Sequence, residues 1–406
     1  MSIQSAKIKY DILKISEEAR LAKIKDSSVI NATIGAYYNE NNEFKAFKTV
    51  KGIINSLDDV DYYSYATSDG GAPYESAVIS WVFKNRRKNV LDETNVRAVS
   101  TPGGTGALFT SMIESLNPGD EILIPDLCWE PYLTMATLNS FVAKRFAMFN
   151  DDLSYNTAGF INACEEMIEK QDKIVAIIND PCNNPTGYTM TMDEFKIITD
   201  YINNVDVPVY IIYDIAYFDY SEDINEQLEK LVMLSRLNNK VVTFITFSAS
   251  KSFCTYGMRL GSQLIMSKNK EVVDTLYKRS CVISRTHWSN VSKAGINMMV
   301  RLVNNPVFKE EFLKEQIINK TILLTRIKTF LKEASDINLK VYNSKGGFFL
   351  SVPCNNPPMV FEKLKERKIY VIPLQTSIRI AICSVSIRET VGLARKIKEV
   401  IAEVNQ

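Results

Sequence analysis

Strand-length runs without a single charge recur along this chain, each bounded by a turn and followed by a segment of helical character. Ile174-Val175-Ala176-Ile177-Ile178 and Val209-Tyr210-Ile211-Ile212-Tyr213 are the clearest. A strand that is apolar on both faces must be covered on both, which predicts a parallel sheet packed between helices rather than a half-solvated antiparallel one. Strand candidates are Val96–Ser100, Glu121–Pro125, Ile174–Asn179, Val209–Asp214, Val241–Phe247 and Gly261–Met266. Helical candidates between them include Gly106–Ser115, Ala158–Lys170 and Met192–Asn203. The last has Thr191 as N-cap and Glu194 three residues on, the signature of a capping box. The expected class is α/β, with a mainly parallel central sheet and helices on both faces.

The texture changes after Asn305-Pro306. Phe308 to about Glu333 reads as one long Lys/Glu-rich helix, followed by strand-like Gly346–Val352 and Ile378–Ser384 and a terminal helix from about Ser386. The first 45 residues hold a helical stretch, Ile12–Lys25, and an irregular run at 34–38, with no sheet of their own. A chain of 406 residues exceeds one small core at roughly 150 residues per domain. The expected division is a large domain of residues 46–310 and a smaller α+β domain built from 1–45 and 311–406.

Charge and composition remove several functions. With 48 Lys+Arg against 47 Asp+Glu, no clustered excess offers a nucleic-acid surface or a polybasic membrane patch. No apolar stretch approaches about 18 residues, so no spanning helix is expected, and the amino terminus lacks a signal-peptide pattern. The seven cysteines include no CxxC and fit reduced thiols in a cytoplasmic protein. The single histidine, His287, excludes HExxH and His-rich metal centres, so no metal is expected. Reactivity must come from a lysine or a cofactor.

Four motifs stand at expected strand ends, where open α/β sheets bind ligands. Thr101-Pro102-Gly103-Gly104-Thr105-Gly106-Ala107 joins a strand to a helix, so its glycines and free helix N–H groups suit a phosphate, although a tight connection would look the same. Asn179-Asp180-Pro181-Cys182-Asn183-Asn184-Pro185-Thr186-Gly187 has the residues of a turn. Asp214-Ile215-Ala216-Tyr217 puts a carboxylate at the end of a buried strand, where it needs a partner or serves as an N-cap. Ser248-Ala249-Ser250-Lys251, then Gly257-Met258-Arg259-Leu260-Gly261, puts an amine directly after an apolar strand. A desolvated amine there can act as a nucleophile. The set asks for phosphate binding (Gly104, Thr105, Ser248, Arg259), a carboxylate for a protonated ring nitrogen (Asp214) and an amine for a Schiff base (Lys251). Pyridoxal 5'-phosphate meets all three demands.

These motifs resemble those of the fold-type I, class I aminotransferases, in particular the aspartate and aromatic amino acid branch. The likeness runs nearly end to end, through Tyr10-Asp11-Ile12-Leu13, Gly35, Tyr65 with Asp69-Gly70, the glycine turn, Trp129, Asn184-Pro185-Thr186-Gly187, Asp214 to Tyr217, Lys251, Arg259, Arg285 and Arg379. The resemblance implies a transaminase with a ping-pong cycle, transferring the amine of aspartate or an aromatic amino acid to a 2-oxo acid such as 2-oxoglutarate. It implies Lys251 as the Schiff-base lysine and proton shuttle, Asp214 as partner of the ring nitrogen, and Tyr217 and Asn184 on the ring's phenolic oxygen. It further implies Trp129 stacked on the ring, Gly104, Thr105, Ser248 and Arg259 on the phosphate, and Arg379 with Gly35 at the substrate. Tyr65 and Arg285 would reach the neighbouring subunit's phosphate and the substrate's distal carboxylate, making a homodimer with shared active sites.

Three departures accompany the resemblance. Tyr132 stands where close relatives have a histidine behind the ring-binding aspartate, His287-Trp288-Ser289-Asn290-Val291 departs from the usual Asn-Tyr-Ser-Asn-Pro, and Asn179-Asp180 departs before the turn. All three are expected to leave the cofactor chemistry untouched and to alter substrate preference instead. The competing expectations are a carbon–sulfur β-lyase or decarboxylase on the same fold, a non-catalytic cofactor-sensing module of a transcription regulator, and a nicotinamide dehydrogenase. The near-neutral chain has no room for a basic DNA-binding domain, and a dehydrogenase would leave Lys251 and Asp214 unexplained.

Overall fold

The computed structural model of the chain describes residues 12–406; Tyr10 and Asp11 of the first motif lie outside the described residues. The chain separates into two units: Ala46–Asn184 with Tyr188–Ile318, and the residues up to Lys45 with Pro185–Gly187 and Asn319–Gln406. The boundary expected near 310 therefore falls after Ile318. Pro185–Gly187 group with the smaller unit because the Pro185 carbonyl accepts from Ser351 Oγ at 2.8 Å and the Gly187 carbonyl from the Lys345 amide at 3.4 Å.

The larger unit is built on a seven-stranded sheet. Its spatial order is Asn95–Pro102, Leu260–Ser267, Val241–Ser248, Val209–Asp214, Ile174–Asn179, Glu121–Pro125 and Val142–Phe146. All neighbours are parallel except Leu260–Ser267, which is antiparallel to both strands beside it. Every residue of Ile174–Asn179 and of Val241–Ser248 is buried, as expected for strands covered on both faces. Leu108 and Met112 of the helix Gly103–Ser115 and Val273 and Leu276 of the helix Lys270–His287 pack with Ile177, Ile212, Phe244 and Ile265 of the sheet. The capping box at Thr191 and Glu194 forms in full. Among the described residues, no helix is long and apolar enough to cross a membrane.

A polar seam runs through this packing. Gln263 Nε2 donates to Ser111 Oγ at 3.1 Å and Ser280 Oγ to Gln263 Oε1 at 2.8 Å, with Glu114 Oε1 3.5 Å from the Ser280 hydroxyl. Burial pushes the Glu114 carboxyl up from its ordinary 4.5 to about 7, against the opposing pull of Arg279, whose Nε lies 3.0 Å from Oε2. A carboxyl whose folded pKa is raised binds a proton that the unfolded chain has already released. Its contribution to stability is therefore present below about pH 4.5 and is lost as pH rises to about 7. Glu114→Gln should remove that term, which slopes by at most about 1.4 kcal/mol per pH unit. Melting curves of both proteins across that range should diverge in the variant's favour as pH rises, and a constant difference would refute the assignment.

The smaller unit has a three-stranded antiparallel sheet in the order Ile372–Pro373, Ser377–Ile380, Leu350–Pro353. The strand expected to run to Ser384 stops at Ile380. The Ala381 amide turns aside to the Ala32 carbonyl at 2.8 Å, and Ile382–Ser384 form a 3-10 turn. The early segment is not without sheet structure, since Ile30–Asn31 pair in parallel with Ile369–Tyr370.

Candidate active site

Parallel register places the chemistry side by side. Asn179 is paired with Asp214, and Asp214 with Thr246, at the carboxyl ends of three adjacent strands. On the next strand over, Gly261 is paired with both Ser248 and Thr101. All four motifs found in the sequence thus reach one end of the sheet for a simple reason: neighbouring strands in register end together.

The glycine turn is a close-packed cradle. Gly103 has φ +74°, and a Cβ there would lie 2.5 Å from Arg259 Nη2; a Cβ on Gly261 would lie 2.3 Å from the Gly103 carbonyl carbon. Neither position has room for a side chain. Gly104 faces Ser248 Cβ at 3.1 Å from where its own Cβ would be. Arg259 adopts the left-handed conformation, φ 52°, and its Nη1 donates to the Tyr256 carbonyl at 2.8 Å and to Ser250 Oγ at 3.2 Å. A fixed guanidinium therefore lies against the first turn of a 13-residue helix, whose N–H groups lack intrahelical partners. Thr105 sits exposed in that turn.

Lys251 lies in the four-residue helix Ala249–Ser252 that directly follows the strand Val241–Ser248. Its Nζ is 4.9 Å from the centroid of the Tyr256 ring and 5.7 Å from that of Tyr217, and its charge acts on Asp214. Asp214 is 5% exposed. Burial raises its pKa, opposed first by the hydrogen bond from Tyr132 and then by that from the Ala216 amide, 3.0 Å from Oδ1. Tyr217 is buried at the same strand end. Trp129 is half-buried and meets the Tyr132 ring edge-on, centroids 5.5 Å apart. Asn184 is buried, and its amide donates to Asn179 Oδ1 at 2.7 Å.

Two of the three departures are bonded to this group: Tyr132, expected behind the aspartate, and Asn179. Tyr132 is fully buried and its hydroxyl donates to Asp214 Oδ2 at 2.5 Å. Burial holds the phenol's pKa well above the ordinary 10.0, so it remains a donor. Asn179 ties two site residues together, since its Nδ2 donates to the Asp214 carbonyl at 3.0 Å while its Oδ1 receives Asn184. Both positions therefore touch residues that the resemblance assigns to the cofactor, whose chemistry they were expected to leave unaltered. A buried asparagine carries no spacing signal that would have revealed its contacts.

Tyr65 is 89% exposed beside a hollow of about 580 Å³ lined in part by Gly257, Met258 and Asn290. Arg285 is exposed and donates to Ser289 Oγ at 2.5 Å; none of its hydrogen bonds reaches the Lys251 group. The neighbouring Trp288 and His287 rings meet Phe109 at 6.1 and 5.2 Å. In the smaller unit, Arg379 is buried, with Nη2 donating to the Thr33 carbonyl at 3.1 Å and its guanidinium 4.5 Å above the Phe349 ring centroid. A Cβ on Gly35 would lie 2.9 Å from Phe349 Cζ. Phe349, which the sequence does not single out, thus joins Gly35 to Arg379.

Known proteins are similar to this chain in sequence and in fold. The family model described as aminotransferase class I and II matches residues 27–397. The aspartate aminotransferase of Pseudomonas aeruginosa is 23% identical over 280 residues, covering 68% of this chain and 69% of that one. The aromatic-amino-acid aminotransferase of Escherichia coli is 20% identical, covering 76% and 77%. A crystal structure of an aminotransferase from Anaerococcus prevotii superposes with a TM-score of 0.93 at 27% identity, covering 99% of each chain. An aromatic-amino-acid aminotransferase from Burkholderia pseudomallei, covalently bound to pyridoxal phosphate, superposes at 0.81 with 20% identity, covering 99% of this chain and 100% of that one.

Proposed function

The chain belongs to the class I and II aminotransferases, and on that premise we propose that it moves the amine of an L-amino acid, aspartate or an aromatic one, to a 2-oxo acid such as 2-oxoglutarate. The observation that carries the reading is the alignment of Asn179, Asp214 and Thr246 in one register, with Lys251 and the Gly103–Arg259 cradle at the same sheet edge. The residues present fit pyridoxal 5'-phosphate. The cradle has no room for side chains at Gly103 and Gly261 but offers a fixed cation and free N–H groups, which suits a phosphate. Ser248, Gly104, Thr105 and Arg259 would hold that phosphate.

When bound, the cofactor supplies an aldehyde that bonds amines and a ring that withdraws electrons from the substrate's Cα. Lys251 Nζ would be the amine that tethers the cofactor and would carry the proton at the substrate's Cα. Asp214, its carboxylate fixed by Tyr132, would keep the ring nitrogen protonated. Tyr217 and Asn184 would hold the ring's phenolic oxygen, and Trp129 would cover the ring. Arg379 pairs bidentately with the α-carboxylate, with Gly35 leaving space beside Phe349. Tyr65 and Arg285 serve the partner subunit of a homodimer; the exposure of Tyr63, Tyr65 and Val60 supports a protein surface there. A cytoplasmic location belongs to the same reading, which rests on the expectation of reduced thiols.

Half-reactions test it. Mixed one at a time with the twenty amino acids, the holo protein should lose its visible band with aspartate or an aromatic amino acid and regain it with 2-oxoglutarate, in a preparation that sizes as a dimer. Release of pyruvate and ammonia without an oxo-acid requirement would replace transamination with β-lysis.

A further inference from the structure

Among the described residues Arg326 is the largest fully buried side chain, at 0% exposure, and nothing in the reaction above uses it. It belongs to the part of the helix Pro306–Asp336 that lies in the smaller unit. Every N–H of its guanidinium has a partner. Nε and Nη2 donate to Glu40 Oε1 at 2.9 and 2.6 Å. Nη2 also donates to the Tyr38 carbonyl at 2.7 Å, and Nη1 to the carbonyls of Cys383 and Ile382 at 2.8 and 3.5 Å. The second oxygen of Glu40 accepts the amide of Ile387 at 2.8 Å, at the start of the helix Ile387–Thr390.

One planar cation therefore binds two stretches far apart in sequence, 38–40 and 382–387. The first begins three residues after Gly35, and the second begins two residues after the strand Ser377–Ile380 that carries Arg379. The two are laced together above the clamp. Arg379 Nη2 donates to the Thr33 carbonyl, the Ala381 amide to the Ala32 carbonyl, and the Tyr38 amide at 3.0 Å to the same Cys383 carbonyl that receives Arg326. A buried guanidinium is costly unless all its donors are used, and here they are used on the two stretches that adjoin the substrate residues. A lysine would keep the charge but could not span four acceptors in a fixed plane.

We propose that Arg326, locked by Glu40, is a positioning residue that holds the Gly35 loop against the Arg379 strand and so presets the fork that receives the substrate's α-carboxylate. This rests on the assignment of Arg379 made above. Since amino acid and oxo acid share that carboxylate, the clamp should act on both.

The test uses holo protein carrying Arg326→Lys, Glu40→Gln or Arg379→Ala. The visible spectrum and its pH titration report the cofactor residues of the larger unit, and bleaching by aspartate in a single turnover separates an apparent dissociation constant from a limiting rate. Both Arg326→Lys and Glu40→Gln should keep the spectrum and its titration. Their dissociation constants for aspartate, and for 2-oxoglutarate in the reverse half-reaction, should rise on the order of tenfold, with a smaller fall in limiting rate. Should Arg326→Lys fail to fold, Glu40→Gln carries the test, since the side chain of Glu40 is 36% exposed. Arg379→Ala weakening both ligands while the clamp variants bind within twofold of the parent would overturn the proposal alone. Unchanged binding in Arg379→Ala would instead overturn the substrate assignment beneath it.

Discussion

Lys251→Ala should abolish the visible band of the holo protein and lower transamination by roughly 10²- to 10⁴-fold, the range for removing a positioned acid–base group. The amine is delivered by the chain's own geometry. The strand Val241–Ser248 ends and a single helical turn presents the side chain between the Tyr217 and Tyr256 rings. On the proposed assignment alanine would remove both the covalent tether and the proton carrier, while the surrounding strands keep their packing. Absorbance and coupled assays on the same sample would measure the two losses, with the melting curve as control. An alanine variant that kept its colour and its turnover would end the present account of the site.

Asp214→Asn should cost about 10²- to 10³-fold in rate, on the scale of losing one preorganised charge-stabilising group in a buried site. The amide can accept from Tyr132 or Ala216 but carries no charge to hold a proton on the ring nitrogen. Tyr132→Phe is the graded companion. A hydrogen bond to a charged group contributes about 1.5–3 kcal/mol, and this one opposes the burial that raises the Asp214 pKa. Without it the carboxyl ionises at higher pH, so the acid limb of the rate profile and of the spectral titration should both move toward higher pH. If both limbs stayed in place in Tyr132→Phe and Asp214→Asn retained near-parental rates, Asp214 would not be the ring's partner.

Some elements could be read directly and others could not. Glu121–Pro125, Ile174–Asn179 and Val209–Asp214 have the bounds expected of them, because an uninterrupted apolar run is its own evidence of burial on two faces. Val142–Phe146 is absent from the expected strands. Val-Ala-Lys-Arg-Phe sits at the sheet's edge with Val142 and Arg145 exposed, so the burial that writes an apolar pattern is missing. The antiparallel direction of Leu260–Ser267 also leaves no mark in composition, since its eight residues are as buried as those of its neighbour.

What the amino-acid order determined by itself was therefore the alternation of layers and the chemical kinds of groups at strand ends: an amine after one strand, a carboxylate after another, glycines before a helix. These follow from preferences between neighbours, which any window of the chain displays. Only the tertiary structure decided which distant groups meet. Tyr132 finds Asp214 across 82 positions and Arg326 finds Glu40 across 286, because sheet register and helix packing set those distances, and neither is encoded in any local stretch of residues.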